Sequence, residues 1–440
     1  MLAPLLALAL LAQDAASVRA LIEKDAWREA LDAAKAYAAA SPNDPEARSA
    51  LGEALYRAGR IAEAGTTLAP LAGGDAPPPR ALATLGLVRA AEGRNEEAGT
   101  LLDRAVALAP EDRFVLYHAA SVGTSRADSI ARLERYLAKS DGDDADRIEG
   151  ARGTIRYLKA LGDRATWVRE TSPERVEVPL RAIPDGSGGC AGFVVQVEAG
   201  GRKLWVLLDT GSGGFFAVER AMRKTGIEPI SEETVFAGGG AGREASKKGF
   251  LPSFAIGGLR FKDAVATTTP NEIDPVGRYQ GVLGIGIFSG YRVTLDLAKG
   301  RLVLDAGELP GGAVPYWDVA GQILVEATGG DGRRGLFLFD TGAARSFLSF
   351  DFAGGPSGAR ADVRTYGGAV EGARQVLGVA LEFPGLPPSA KPKMAGDLTQ
   401  RSRLSGVEVS GFLGLDLLDG AVVVVDTKSR RIAASRPSKK

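Results

Sequence analysis

One histidine, one cysteine and three methionines stand in a chain of 440 residues. Each scarcity excludes a chemistry. The single cysteine, Cys190 in the loop "GSGGCAGF", allows no internal disulfide and no cysteine-rich metal site. It reads as an incidental thiol. The single histidine, His118 in "FVLYHAAS", falls within a helical pattern and reads as a packed or half-exposed helix residue. Serine and cysteine nucleophiles usually work with a positioned imidazole, and zinc hydrolases usually need two or more histidines. Hydrolytic chemistry in this chain must therefore rest on carboxylates, with no metal and no cofactor. Net charge is missing as well. Basic and acidic residues number 54 each, which removes the electrostatic footprint of a nucleic-acid or anionic-membrane partner.

Long apolar runs are also absent. The N-terminal "MLAPLLALALLAQDA" has an apolar stretch over residues 2–12, too short to span a bilayer. No integral membrane protein is expected. The stretch has the length of a signal-peptide core and is followed by small residues suited to cleavage near Ala12 to Ala16. Residues 1–16 are read as an export signal for a periplasmic or secreted protein. No positive charge precedes the run, so the alternative is an apolar first helix in a cytoplasmic protein.

What is present falls into two grammars. Residues 17–165 are rich in Ala, Leu, Arg and Glu at helical spacing. "DAWREAL" at Asp25, "GRIAEAG" at Gly59 and "GRNEEAG" at Gly93 recur every 34 residues, as do the turns around Pro45, Pro79 and Arg113. A helix–turn–helix unit of 34 residues is the tetratricopeptide signature. The region resembles about three such repeats, with a degenerate fourth at "SRADSIARLERYL". The stack implies a groove for a protein partner or substrate. "SDGDDAD" at 140–146 lacks the Gly and distal Glu of a calcium loop and reads as a polar connection.

After about residue 166, short Val/Leu/Ile/Phe runs alternate with glycine-rich turns, the pattern of a β-rich region entered through a linker at "TSPERVEVPL". This region is duplicated. "LWVLLDTGSGGFF" (204–216) returns as "LFLFDTGAARSFL" (336–348), and "GVLGIGIFSGYRVTLDLAKGRLVL" (281–304) returns as "GFLGLDLLDGAVVVVDTKSRRIAA" (411–434). Asp209 aligns with Asp340, Gly284 with Gly414 and Asp296 with Asp426. Between them "VFAGGGAG" (235–242) falls opposite "TYGGAVEG" (365–372), placing Phe236 on Tyr366. "AGGGAG" carries no Gly-Lys-Ser/Thr and is read as a mobile hairpin rather than a phosphate loop.

Over roughly 178–435 the sequence resembles the retropepsin-like aspartic peptidases of bacteria, with both Asp-Thr-Gly copies in one chain. The usual acidic residue soon after the Asp-Thr-Gly-Ala element is missing here. The resemblance implies an all-α tetratricopeptide solenoid (17–165) followed by an all-β bilobal acid-protease fold, lobe 1 at 178–307 and lobe 2 at 308–436. It implies an aspartic endopeptidase, active as a monomer on peptide or protein substrates, with Asp209 and Asp340 as the catalytic pair.

The chemistry accords. Two carboxylates held together cannot both ionise, so one serves as base and the other as acid. Thr210 and Thr341 would hydrogen-bond across the lobes. Gly211 and Gly342 would let the backbones approach, and Gly284 and Gly414 would lie beneath the two loops. Ser212 would donate to Asp209 where Ala343 offers Asp340 no hydroxyl, so that Asp340 carries the shared proton. Phe236, Gly238 and Gly239, with Tyr366, Gly367 and Gly368, are the expected flap and substrate-contacting residues, plain core being the other reading of the two aromatics. The competing reading is a non-catalytic peptide-binding scaffold that uses the helical groove and the β lobes as a clasp.

Overall fold

The computed structural model describes residues 14–140, 145–186, 189–237, 242–274, 276–361, 363–365, 368–389, 391 and 393–437. The apolar run at 2–12 and most of the polar connection at 141–144 lie outside the described residues. No helix among the described residues is long and apolar enough to cross a membrane. The chain divides into two compact units, Met1–Lys159 with Ser402–Glu408, and Ala160–Arg401 with Val409–Lys440.

The first unit is a series of helical pairs. Helices begin at Trp27, Ile61 and Asn95, and again at Pro45, Pro79 and Arg113, so both sets step by 34 residues. The local causes repeat too. Asp44 and Asp112 cap their helices by accepting from Glu46 N–H (2.9 Å) and Val115 N–H (3.2 Å). Asp25, Gly59 and Gly93 share one turn position and the same left-handed backbone (φ 58°, 74° and 80°), which explains why glycine fills two of the three. Helix Arg126–Leu137 is capped by Ser125, and Ala145–Leu161 ends the series. Gly52 sits so close to Leu68 that a Cβ would stand 2.3 Å from it, and Gly86 repeats the contact with Leu102 one period on.

Glu53 is buried between Arg19 (3.4 Å) and Arg80 (3.5 Å), and Arg80 also pairs with Asp112. Ser402–Glu408 packs into this unit. Arg57 Nη1 donates to the Gly406 carbonyl (2.8 Å), Glu408 N–H donates to the Arg57 carbonyl (2.7 Å), and Arg403 pairs with Asp25. Part of the helical unit's polar surface thus holds the chain's own backbone. His118 lies against Phe114, Tyr117 and the Arg57 guanidinium, and burial holds its imidazole well below its usual range.

The second unit is β-rich and internally repeated. In the first half, strand Arg202–Leu208 runs parallel to Gly281–Leu283, which pairs antiparallel with Phe215–Val218, itself parallel to Ala264–Thr269. In the second half, Arg334–Phe339, Gly411–Leu413, Phe347–Ser349 and Lys393–Gly396 repeat that order and those directions. The halves join through a six-stranded sheet. At its centre Arg292–Asp296 pairs antiparallel with Val422–Asp426, the two strands that align in sequence. Val293, Leu295, Val423 and Val425 point from this pair into one continuous core with Phe215, Phe337 and Phe339, the burial that drives the halves together.

The segment expected as a linker is partly strand. Val176–Pro179 pairs with Arg301–Asp305, and Val168–Arg169 pairs with the strand Leu259–Lys262.

Candidate active site

Each Asp-Thr-Gly follows the last residue of an apolar strand, Leu208 or Phe339, where it leaves the sheet. Asp209 N–H donates to the Leu283 carbonyl (2.9 Å) and Asp340 N–H to that of Leu413 (3.0 Å), so each loop is pinned to its own Leu-Gly strand. The threonines then lock the loops to each other. Thr210 N–H donates to Thr341 Oγ1 and Thr341 N–H to Thr210 Oγ1, both at 3.1 Å. Thr210 Oγ1 donates to the Phe339 carbonyl (2.6 Å) and Thr341 Oγ1 to that of Leu208 (2.9 Å). Both threonines are 1 % exposed, and all four bonds cross from one lobe to the other.

This lattice sets the carboxyls face to face. A Cβ on Gly211 would stand 3.0 Å from Asp340 Cγ, and one on Gly342 would stand 2.7 Å from Asp209 Cγ. Each glycine is therefore the floor against which the opposite carboxyl rests. Gly284 and Gly414 lie under the loops. A Cβ there would come within 2.1 Å of the Ser212 carbonyl oxygen, or 2.5 Å of Arg345 C.

The two carboxyls act directly on each other's ionisation. Both residues are half-buried. Burial, and then the charge of Asp340, push Asp209 well above the ordinary carboxylate range. Burial raises Asp340 too, but the neighbouring Asp209 carboxyl and the amides of Gly342 (2.8 Å) and Ala343 (3.0 Å) oppose it. Asp209 accepts one such amide, from Gly211 at 2.7 Å. The amides thus favour the charged form of Asp340 over that of Asp209, whereas the expectation drawn from Ser212 placed the proton on Asp340. The buried Ser212 makes no hydroxyl bond to Asp209 among the described residues; its N–H instead donates to the Asp209 carbonyl (3.2 Å). Backbone amides, not the hydroxyl, set the asymmetry.

The glycine-rich hairpins differ in length. In the first lobe Glu228–Ala237 pairs with Gly242–Leu251 through Phe236 opposite Arg243. In the second, Arg364–Thr365 pairs with Gly368–Ala369, and the hairpin continues less regularly through Val370 N–H to the Val363 carbonyl and Ala361 N–H to the Ala373 carbonyl, both at 2.8 Å. Gly238, Gly239, Tyr366 and Gly367 lie outside the described residues. Cys190 is buried at the start of strand Cys190–Ala199, its thiol donating to the Gly192 carbonyl (3.1 Å). Among the described residues no cluster of His, Cys, Asp or Glu could hold a metal ion.

Sequence reasoning missed what braces the second loop. Asp416 Oδ1 accepts from Ser346 N–H and Oγ, both at 2.6 Å, and Asp416 Oδ2 from the fully buried Lys393 Nζ at 2.7 Å. Ser346 Oγ in turn accepts Gly414 N–H (3.0 Å). In the first lobe the corresponding Gly284 N–H goes to the Gly214 carbonyl (2.8 Å). A signal existed: Asp416 stands where the first copy has Gly286.

Among known families, the aspartyl protease family matches residues 195–287 and the tetratricopeptide repeat family matches residues 21–88. Among solved structures the chain is similar to a retropepsin-like aspartic protease from Rickettsia conorii, at 18% identity over 32% of this chain and 94% of that one (TM-score 0.21). It is also similar to Basic 7S globulin from soybean, at 12% identity over 60% of this chain and 96% of that one (TM-score 0.35). No curated protein matches the sequence.

Proposed function

We propose that this chain, a retropepsin-like aspartyl protease region preceded by tetratricopeptide repeats, is an endopeptidase working through Asp209 and Asp340. The observation that carries the reading is the threonine lattice that sets the two carboxyls face to face, each against the other loop's glycine. In this reading Asp340 is the base. It takes a proton from a water molecule as the water oxygen bonds to the peptide carbonyl carbon. Asp209 gives its proton to the carbonyl oxygen, yielding a tetrahedral diol. As the diol collapses and the C–N bond breaks, Asp340 gives its proton to the leaving nitrogen and Asp209 takes one from a diol hydroxyl, so the carbonyl re-forms and the pair again holds one proton. The threonine lattice supports this chemistry by fixing the distance between the two loops.

Phe236, Gly238 and Gly239 on one side, and Tyr366, Gly367 and Gly368 on the other, are proposed to close over the substrate. The helical repeats are proposed to bind a protein partner or substrate. Both lobes come from one chain, so a monomer suffices. Residues 1–16 are proposed as an export signal, which N-terminal sequencing of secreted protein would test.

The decisive experiment is cleavage of a diverse peptide library between about pH 3 and 7, the span of dyad titration. Wild type runs beside Asp209→Asn and Asp340→Asn, with a pepstatin arm. Loss of cleavage in each variant and under pepstatin supports the reading. A folded wild type that cleaves nothing overturns it in favour of a peptide-binding scaffold.

A further inference from the structure

One cation near the dyad has no part in the chemistry above. Arg401, on helix Thr399–Ser405, donates from Nη2 to Gln322 Oε1. Gln322 Nε2 donates to the Gly211 carbonyl at 2.9 Å, and Gly211 N–H donates to Asp209 Oδ1 at 2.7 Å. A relay of three bonds therefore runs from the guanidinium to Asp209. Arg401 Nε is buried with no hydrogen-bond partner. Such a group is costly to bury. The charged groups acting on Arg401 are Asp340 and Asp209. Those acting on the dyad are the two carboxyls themselves, Arg401, and Tyr279 near Asp209. Burial pushes the Tyr279 phenol up to about 12, so it stays neutral. One guanidinium thus faces one shared negative charge, and the buried site is neutral as a whole.

We propose that Arg401 is a positioning residue for the dyad. Through Gln322 it fixes the Asp209 loop, and its fixed charge keeps the pair singly ionised. The dyad's response to Arg401 agrees in direction, since the guanidinium lowers both carboxyls. The inference rests on the peptidase reading for its consequence in catalysis, but its electrostatic half can be tested without turnover.

The experiment uses the full chain with Arg401→Gln, Arg401→Lys and Gln322→Leu. One readout is the pH profile of kcat and KM on a cleaved peptide. The other is carboxyl titration by NMR with ¹³C-labelled aspartate. Arg401→Gln should move both limbs of the profile, and both dyad titrations, to higher pH by about one unit. Arg401→Lys keeps the charge, so the limbs should stay while kcat falls. Gln322→Leu should lower kcat roughly tenfold with KM and the limbs unchanged, as expected for a misplaced reacting group.

Unmoved titrations in Arg401→Gln would overturn the electrostatic half. Wild-type kcat in both Gln322→Leu and Arg401→Lys would overturn the positioning half, even where Arg401→Gln fails to fold. If wild type cleaves nothing, the peptidase reading fails, and the titration comparison still decides whether Arg401 sets the charge of the pair.

Discussion

Thr210→Val tests the lattice that holds the two loops together. Valine matches threonine in shape, so the substitution opens no cavity and acts through the hydroxyl alone. That hydroxyl makes two bonds at a site 1 % exposed, donating to the Phe339 carbonyl (2.6 Å) and accepting Thr341 N–H (3.1 Å). Its loss strands two buried backbone groups at about 1–3 kcal/mol each, so Thr210→Val should cost about 2–6 kcal/mol. Thr210→Ser keeps the oxygen and removes one methyl group, at about 1 kcal/mol. The gap between the two variants is the signature, because a purely hydrophobic role would reverse it.

The measurement is urea unfolding followed by tryptophan fluorescence. Three of the four tryptophans, Trp167, Trp205 and Trp317, lie in the β-rich unit, whereas Trp27 lies in the helical unit. Fluorescence therefore follows the unit that contains the lattice, and far-UV circular dichroism follows the helices. The two signals must be fitted separately, since one two-state transition is not expected of two units. Thr341→Val strands two equivalent groups, Thr210 N–H and the Leu208 carbonyl, and should give a similar loss. The double variant should depart from additivity by 0.5 kcal/mol or more, roughly the coupling seen for residues sharing a network. A midpoint for Thr210→Val equal to that of Thr210→Ser, at unchanged slope, would refute the argument.

Three further outcomes follow from the same geometry. Gly284→Ala should abolish folding or activity, since its Cβ would meet the Ser212 carbonyl oxygen at 2.1 Å, while Gly286→Ala, with open space around it, should leave solubility and melting temperature near wild type. Lys393→Met should destabilise the β-rich unit by about 3–5 kcal/mol in urea titration, because it leaves the Asp416 carboxylate buried without its cation. Asp209→Asn should raise stability at pH 7 but not at pH 3. A carboxyl whose folded pKa is raised favours the native state below its unfolded pKa and loses that contribution as pH climbs to the folded value, and asparagine carries no such loss; equal melting temperatures at pH 7 would count against the assigned proton.

The parts of the fold legible in the sequence are those that a repeat writes twice. The 34-residue helical period needed only Gly59, Gly93 and the prolines at Pro45 and Pro79 to be visible, because turn geometry restricts which residues fit. The Asp-Thr-Gly pair was legible for the same reason, as glycine alone fits where the opposite carboxyl stands within 3.0 Å of an added Cβ. What stayed hidden depends on residues distant in sequence and present once. Arg401 and Gln322 are 79 residues apart, and nothing local marks either as reaching the first loop. The segment Ser402–Glu408 carries no sign that it packs with helices some 350 residues upstream. The amide contribution to the dyad was invisible because side chains can be read in a sequence and backbone amides cannot. Ser212 advertised a donor, whereas Ala343, which offers nothing but its N–H, supplied one.

Duplication supplies two like carboxyls, but acid–base chemistry requires two unlike ones. A symmetric pair built from identical chains has to break that symmetry through its substrate. Here the covalent sequence breaks it. Asp340 accepts two backbone amides and Asp209 one, and the single guanidinium reaches the pair through the Asp209 side. The second loop is braced by a buried ion pair and a serine where the first uses a backbone bond. The first lobe's hairpin has strands of ten residues and the second lobe's has strands of two. The residues that make these differences lie around the shared Asp-Thr-Gly and Leu-Gly elements, and the Leu-Gly glycines find different acceptors in the two halves. The halves thus keep in common what brings the carboxyls together and differ in what surrounds them. On this argument, exchanging the two loops between lobes would preserve the fold and disturb the assignment of acid and base.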